Sequence, residues 1–177
     1  MTKIKICGIT NLEDGLKIVE LSPDALGFVF YKKSPRYIDP IKAYGIIRQL
    51  PVGILKAGIF VDATEKDVRR TAKLCSLDML QFHGKETPRF CEKFKNYKVI
   101  KAFRVKKSID REDILKYNVY ACLFDTFERS KAGGTGKKFD WKLIKEFGDL
   151  GRPACLTGRQ GFISGGLNEK NVARAIE

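Results

Sequence analysis

Two side chains that can exchange protons, the thiol of Cys7 and the carboxylate of Asp125, each end an apolar stretch of this 177-residue chain. Cys7 follows KIKI, and Asp125 follows ACLF. A cysteine in a strand often packs as a small hydrophobic residue, so Cys7 alone does not indicate chemistry. Asp125 is harder to explain as packing, because burial of an unpaired carboxylate costs free energy. We therefore expect Asp125 to be part of a functional site.

Seven apolar runs rich in β-branched and aromatic residues alternate with segments typical of helices, and no linker interrupts them. We predict that these runs are strands, at 3–9, 25–31, 55–61, 79–84, 98–105, 120–126 and 160–167. Strands separated by helices pair in parallel, because a parallel pairing needs a long crossover. A repeat of about 25 residues favours a closed (β/α) barrel over a doubly wound sheet, although periodicity alone does not separate the two.

The predicted helices begin at residues whose side chains can accept hydrogen bonds from free backbone N–H groups. The expected caps are Thr10, Asp39, Thr64, Thr87, Asp140 and Asn168. Asp39 and Thr87 are each followed by proline, which suits the first position of a helix.

In a barrel, the ends of the strands and the loops that follow them form the functional face. On the two-residue period of a strand, Cys7 is in phase with Lys3 and Lys5, and Asp125 is in phase with Leu123. We therefore expect both proton-transfer groups to point into one mouth.

Composition and charge limit the classes of partner. The net charge of +13 attracts small anions, but Lys and Arg are interspersed with acids, as on a solvated helical surface, so we expect no nucleic-acid partner. No apolar run approaches the ~18 residues of a membrane span, and the N-terminus lacks signal-peptide features, so we expect a cytoplasmic protein with no membrane contact. Five cysteines without a CxxC spacing argue against a zinc site and a disulfide framework, so we expect reduced thiols and no metal.

Six motifs follow one another along the chain: KICGIT, GFVFYKKSPRYI, LQFHG, LFDT, GGTGKKFDW and ISGGLNEKNV. With these motifs in register, the chain resembles the phosphoribosylanthranilate isomerase family of tryptophan biosynthesis from Lys3 to about Ile176. The resemblance implies a TIM (β/α)8-type barrel. It also implies a cofactor-free Amadori rearrangement of phosphoribosylanthranilate to a carboxyphenylamino-deoxyribulose phosphate.

The resemblance also implies roles for particular residues. Cys7 is matched to the family's general base and Asp125 to its general acid. An acid must protonate the furanose ring oxygen to open the ring, and a base must take the proton from the neighbouring sugar carbon. Arg36 of SPRY matches the contact to the anthranilate carboxylate, a role that suits its planar fork.

Four further residues are matched to substrate binding. Gln81 and His83 of LQFHG match a pair that lines the mouth. Gly165 and Gly166, with a helix opened by Asn168, match half of a phosphate cradle, because glycines let backbone N–H groups approach an anion. The GGTG stretch at 133–136 is too short for a nucleotide-binding P-loop and is expected to be the sixth βα loop.

Two departures from the family pattern concern the second half of the chain. The segment 148–160 is a longer and more polar lead-in to the seventh strand than is usual in the family. The printed sequence stops inside the seventh helix, so we expect a single βα-barrel domain over 1–177 that carries seven of eight strands and is C-terminally incomplete. Unpaired strand edges favour association with a second copy, so we expect a homodimer.

Two alternatives remain open at this stage. The chain could be another phosphate-binding βα-barrel sugar isomerase, such as the enzyme of histidine biosynthesis that uses two aspartates, although Cys7 in place of a first-strand aspartate argues against this. It could also be a non-catalytic barrel fragment that binds a phosphorylated ligand.

Overall fold

The computed structural model describes residues 2–105, 111–126 and 160–176. The strands are β1 (Lys5–Cys7), β2 (Ala25–Val29), β3 (Leu55–Phe60), β4 (Met79–Phe82), β5 (Lys98–Val105), β6 (Ala121–Thr126) and β7 (Gln160–Ile163). The helices are α1 (Leu12–Glu20), α2 (Pro40–Ile47), α3 (Glu65–Leu74), α4 (Pro88–Glu92), α5 (Arg111–Leu115) and α6 (Val172–Ile176). All seven predicted strands are confirmed, most of them shorter than the apolar runs. The calls at Asp140, 133–136 and 148–159 lie outside the described residues.

The chain divides into two compact units, Met1–Glu86 and Thr87–Glu177. In the first unit, β1 to β4 lie side by side in chain order and are parallel. Every residue of β2 is buried, as expected for a strand covered on both faces. In the second unit, β5, β6 and β7 are likewise parallel and in chain order.

The register of the first unit shows which side chains share a face. Cys7 pairs with Gly27, Gly27 with Ala57, and Ala57 with Met79. Residues in register on neighbouring parallel strands point to the same side, and so do residues two positions further along. Gln81, two residues after Met79, is therefore on the same face of this sheet as Cys7.

Aromatic side chains fill the opposite face of the first unit. Phe28, Phe60 and Phe82 alternate with the residues of the Cys7 face and are almost fully buried. The ring centroids of Phe60 and Phe82 lie 6.3 Å apart, and those of Phe30 and Phe60 lie 5.4 Å apart. This packing holds the strands that carry the candidate site residues at their ends.

Three of the predicted helix caps are confirmed. The side chains of Asp39, Thr64 and Thr87 accept hydrogen bonds from the backbone N–H groups of Ile41, Asp67 and Phe90. Each satisfies a donor that the first helical turn leaves without an intrahelical partner.

The cap predicted at Thr10 is wrong. Helix α1 is capped by Asn11, whose Oδ1 accepts from the Asp14 backbone N–H at 2.8 Å while its amide donates to the Asp14 carboxylate. That reciprocal pair fixes the start one residue later than predicted. Helix α6 begins at Val172, and Asn168 caps the turn that leads into it. Asn168 Oδ1 accepts a hydrogen bond of 3.0 Å from the Lys170 backbone N–H, and the Asn168 carbonyl accepts one of 2.9 Å from the Val172 N–H.

In each of the turns that lead into β2 and β4, an aspartate side chain accepts a hydrogen bond from a backbone N–H group. Asp24 accepts a hydrogen bond of 2.7 Å from the backbone N–H of Ile4, and Asp78 accepts one of 2.8 Å from that of Lys56. The Lys56 ammonium also lies 2.9 Å from the Asp78 carboxylate. Each aspartate ties its turn to the preceding strand, which stabilises the register of the sheet.

Within the described residues, no helix is long and apolar enough to cross a membrane. Cys7, Cys75 and Cys91 are free thiols. Cys122 is disulfide-bonded, so the prediction that all the thiols are reduced is wrong.

Candidate active site

The Cys7 thiol lies at the C-terminal end of β1 and is partly exposed. It packs over Gly27: a Cβ atom at Gly27 would lie 2.9 Å from Cys7 Sγ and 3.0 Å from Ile59 Cδ1. Any larger residue at this position of β2 would push the thiol away. The thiol thus occupies space that is open because Gly27 has no side chain.

Arg36 is directly beside Cys7. Its Nη1 donates a hydrogen bond of 3.2 Å to the Cys7 carbonyl oxygen. Its aliphatic stem covers Gly8, where a Cβ atom would come within 2.5 Å of Arg36 Cδ, and where φ is +101°. Gly8 therefore meets two requirements at once, since it adopts a left-handed conformation and leaves room for the arginine.

Gln81 and His83 form a second pair in the first unit. Gln81 is 3% exposed, and its Nε2 lies 3.2 Å from Nδ1 of His83. The Gln81 Oε1 atom is buried and has no hydrogen-bond partner among the described residues. A buried acceptor that no protein group satisfies is typical of a site that a ligand completes.

Two acids that the sequence did not single out brace the same end of the sheet. Glu86 is buried, and its two carboxylate oxygens accept hydrogen bonds of 2.9 Å from the backbone N–H groups of Asp62 and Gly84. Asp62, with φ of +50°, accepts one from the Lys85 N–H at 2.6 Å. These bonds join the loop after β3 to the loop after β4, which carries His83.

The second unit contains the other candidates. Asp125 is 4% exposed near the end of β6, and its Oδ1 accepts a hydrogen bond of 2.9 Å from the Thr126 backbone N–H. Arg104 of β5 is its register partner, so the two residues share a face of the sheet. Sequence reasoning missed Arg104, although its two-residue phase with Ile100 and Ala102 was a signal that could have found it.

The glycine loop after β7 lies against Asp125. Gly165 and Gly166 have φ of +87° and +67°. A Cβ atom at Gly165 would lie 2.6 Å from Asp125 Oδ1 and 2.5 Å from Thr126 Oγ1. Thr126 Oγ1 is buried and lacks a hydrogen-bond partner in the part of the chain that the structure describes. Position 165 therefore has to be glycine. The Thr126 hydroxyl, also missed by sequence reasoning, is left without a partner among the described residues.

The structure thus brings six of the predicted site residues together in three pairs. Cys7 meets Arg36, Gln81 meets His83, and Asp125 meets Gly165. The side-chain amide of Asn171, just before α6, donates a hydrogen bond of 2.8 Å to the Gly166 carbonyl and so ties the glycine loop to the start of that helix. Among the described residues, no three His, Cys, Asp or Glu side chains cluster in a way that could hold a metal ion.

A different free cysteine shows the effect of burial on a thiol. Cys75, at the end of α3, is fully buried and its Sγ lies 3.4 Å from the Pro40 carbonyl oxygen. Burial, with a smaller contribution from the Asp39 carboxylate, raises the pKa of the Cys75 thiol to about 11. A thiol in this setting stays protonated and packs as a hydrophobic residue.

Comparison with known proteins is consistent along the whole chain. The family described as N-(5'phosphoribosyl)anthranilate (PRA) isomerase matches residues 4–177. The N-(5'-phosphoribosyl)anthranilate isomerase of Geobacter sp. (strain M21) is 46% identical over 176 residues, which are 99% of this chain and 82% of that protein.

Solved structures agree. The phosphoribosyl anthranilate isomerase from Thermotoga maritima has a TM-score of 0.87 and 41% identity, over 99% of this chain and 82% of that one. A second structure shows monomers generated from the dimeric phosphoribosylanthranilate isomerase of Thermotoga maritima. It has a TM-score of 0.84 and 39% identity, over 99% of this chain and 81% of that one. A phosphoribosyl anthranilate isomerase in complex with reduced 1-(o-carboxyphenylamino)-1-deoxyribulose 5-phosphate also has a TM-score of 0.84, with 40% identity over the same shares.

The fold class predicted from the sequence is confirmed by these structures: it is a TIM (β/α)8-type barrel, with seven parallel strands among the described residues. The chain belongs to the N-(5'-phosphoribosyl)anthranilate isomerase family.

Proposed function

We propose that this chain isomerises N-(5'-phosphoribosyl)anthranilate in tryptophan biosynthesis, with Cys7 as general base and Asp125 as general acid. One observation carries the proposal: Cys7 is a partly exposed residue at a strand end, and its carbonyl accepts a hydrogen bond from Arg36. A thiol kept for packing would be buried, as Cys75 is.

The reaction needs two proton transfers. Asp125 gives a proton to the furanose ring oxygen, the bond from that oxygen to the anomeric carbon breaks, and the nitrogen lone pair forms an iminium ion. Cys7, as the thiolate, then takes the proton from the neighbouring sugar carbon. The electrons of that C–H bond neutralise the iminium and form an enol. The enol oxygen then loses its proton and the former anomeric carbon gains one, by exchange with water, which gives the ketone. The positive charge of the iminium favours the thiolate at the moment when it is needed.

Arg36 is proposed to bind the anthranilate carboxylate. A guanidinium has five N–H donors in a planar fork, so the bond from Nη1 to the Cys7 carbonyl leaves donors for a carboxylate. This arrangement would place the aromatic amine next to Cys7, where the iminium forms.

Polar groups at the ends of β4 and β7 are proposed to bind the rest of the substrate. Gln81 Oε1, buried and without a hydrogen-bond partner among the described residues, can accept from a sugar hydroxyl. His83 adds a ring nitrogen. Successive left-handed residues such as Gly165 and Gly166 turn backbone N–H groups toward one point, which suits a phosphate.

The test is a turnover assay with freshly prepared phosphoribosylanthranilate. We expect the chain to consume it, and Cys7→Ala to lower kcat by ~10² to 10⁴, as is typical for removal of a general base. Cys91→Ala is the matched control, because it deletes the same atom from a buried free cysteine and should leave kcat unchanged. A folded chain that binds the reduced product without turnover would instead be a binding protein for phosphorylated ligands.

Assembly and location remain predictions. A dimeric relative supports a homodimer of this chain, which measurement of the mass in solution would test. The biosynthetic role supports a cytoplasmic location, which fractionation of cells would test.

A further inference from the structure

The side chains of Gln81 and His83 contact each other at the end of β4. Gln81 is 3% exposed within β4, so its side chain has little freedom. The backbone that carries the imidazole is anchored at two points. The His83 N–H donates to the Phe60 carbonyl at 2.9 Å, and the Gly84 N–H donates to Glu86 Oε2 at 2.9 Å. The contact of 3.2 Å between Gln81 Nε2 and His83 Nδ1 therefore joins a buried side chain to a residue whose backbone is anchored.

The chemistry of the two atoms determines where the imidazole carries its proton. An amide nitrogen can only donate a hydrogen bond, so Nδ1 of His83 must accept. A neutral imidazole has one N–H, which must then be on Nε2. We infer that Gln81 is a positioning residue that fixes His83 as the Nε2–H tautomer, so that the ring donates a hydrogen bond to an oxygen of the phosphorylated substrate.

The last step of this inference rests on the proposed function, whereas the tautomer itself does not. A neutral ring with its proton on Nε2 offers a substrate an uncharged donor. It offers no basic nitrogen on that side, so proton abstraction is left to Cys7. This division of roles would explain why a histidine close to the reacting sugar is not itself the base.

The tautomer can be read directly, because this chain has a single histidine. In protein labelled with ¹⁵N-histidine, both ring nitrogens give resonances that need no assignment to residues. The measurement is made at a pH above which the ring resonances no longer change, so that the ring is neutral. We expect Nε2 to be the protonated nitrogen. A proton on Nδ1 would overturn the inference, since Gln81 would then present Oε1 to the ring.

Two substitutions test whether Gln81 is responsible. In Gln81→Glu, the carboxylate must accept a hydrogen bond, so the ring proton should move to Nδ1. In Gln81→Met, which has a similar length and no donor, the spectrum should show a mixture of the two tautomers. If the Gln81→Met spectrum stays that of pure Nε2–H, another group sets the tautomer and the inference is wrong.

Activity then tests the link to the substrate. Gln81→Met should lower kcat/KM about tenfold, the size expected for one hydrogen bond between uncharged groups. In a His83→Ala background, the same substitution should cost less, because only the direct contact of Gln81 Oε1 with the substrate is then lost. An equal loss in both backgrounds would contradict the positioning role. If the chain has no isomerase activity at all, the proposed function fails while the spectrum still decides the tautomer.

Discussion

Arg36 Nη1 donates a hydrogen bond of 3.2 Å to the carbonyl oxygen of Cys7, a residue 29 positions earlier in the chain. The contact joins the loop after β2 to the end of β1. In the proposed mechanism it links the group that binds the aromatic carboxylate to the group that takes the proton. Because the bond is to the backbone of Cys7, the thiol itself remains available for chemistry.

Arg36→Met should act chiefly on substrate binding. A hydrogen bond to a charged group contributes about 1.5–3 kcal/mol, so KM should rise roughly 10- to 150-fold while kcat changes little. Arg36→Lys, which keeps the charge but lacks the planar fork, should lie between the two. Steady-state kinetics measures both. A KM that does not change in Arg36→Met would exclude the contact to the carboxylate.

Asp125→Asn should act chiefly on kcat, because an amide cannot give an acidic proton to the ring oxygen. The expected loss is ~10² to 10⁴. Asp113→Asn is the matched control: its carboxylate lies 2.6 Å from the Lys116 ammonium on the surface, where such pairs add little stability. The control should retain full turnover. Retention of most of kcat in a folded Asp125→Asn protein would move the role of acid to another residue.

Much of this arrangement could be predicted from the chain alone, because strand periodicity and cap chemistry are local. The seven strands and the caps at Asp39, Thr64 and Thr87 are of this kind. The start of α1 was misplaced by one residue, since Thr10 and Asn11 can both cap a helix and only the pairing with Asp14 decides between them.

Contacts between distant segments could not be predicted. The Cβ-excluding approach of Gly165 to Asp125, and the two bonds by which Glu86 joins separate loops, depend on how the chain folds back on itself. Neither leaves a spacing pattern that can be read along the chain. The roles of these residues emerged from the family resemblance or from the structure alone.

Gly165→Ala should impair both stability and turnover. A non-glycine residue at a left-handed position costs roughly 1–2 kcal/mol, and the added Cβ would press on the Asp125 carboxylate and the Thr126 hydroxyl. We expect a lower Tm and a lower kcat/KM. Gly45→Ala in α2 is the matched control, because nothing lies within 4 Å of its Cβ position. Alanine there should stabilise the protein by about 0.5–1 kcal/mol. Equal behaviour of the two variants would contradict the proposed packing of the loop on Asp125.

The buried thiol of Cys75 should make the protein less stable in alkaline solution. Its pKa is raised from 9.0 to about 11 in the folded chain. Between these values, the unfolded chain releases the thiol proton while the folded chain keeps it, so stability falls as pH rises, by roughly 1.4 kcal/mol per pH unit.

Other groups titrate in the same range, so the informative quantity is the difference between two proteins. Cys75→Ser keeps a donor for the Pro40 carbonyl and has no group that titrates there. Urea unfolding at a series of pH values should show the wild type losing about 3 kcal/mol relative to Cys75→Ser as the pH rises through this window. Parallel curves for the two proteins would mean that the thiol is not held in its neutral form by burial.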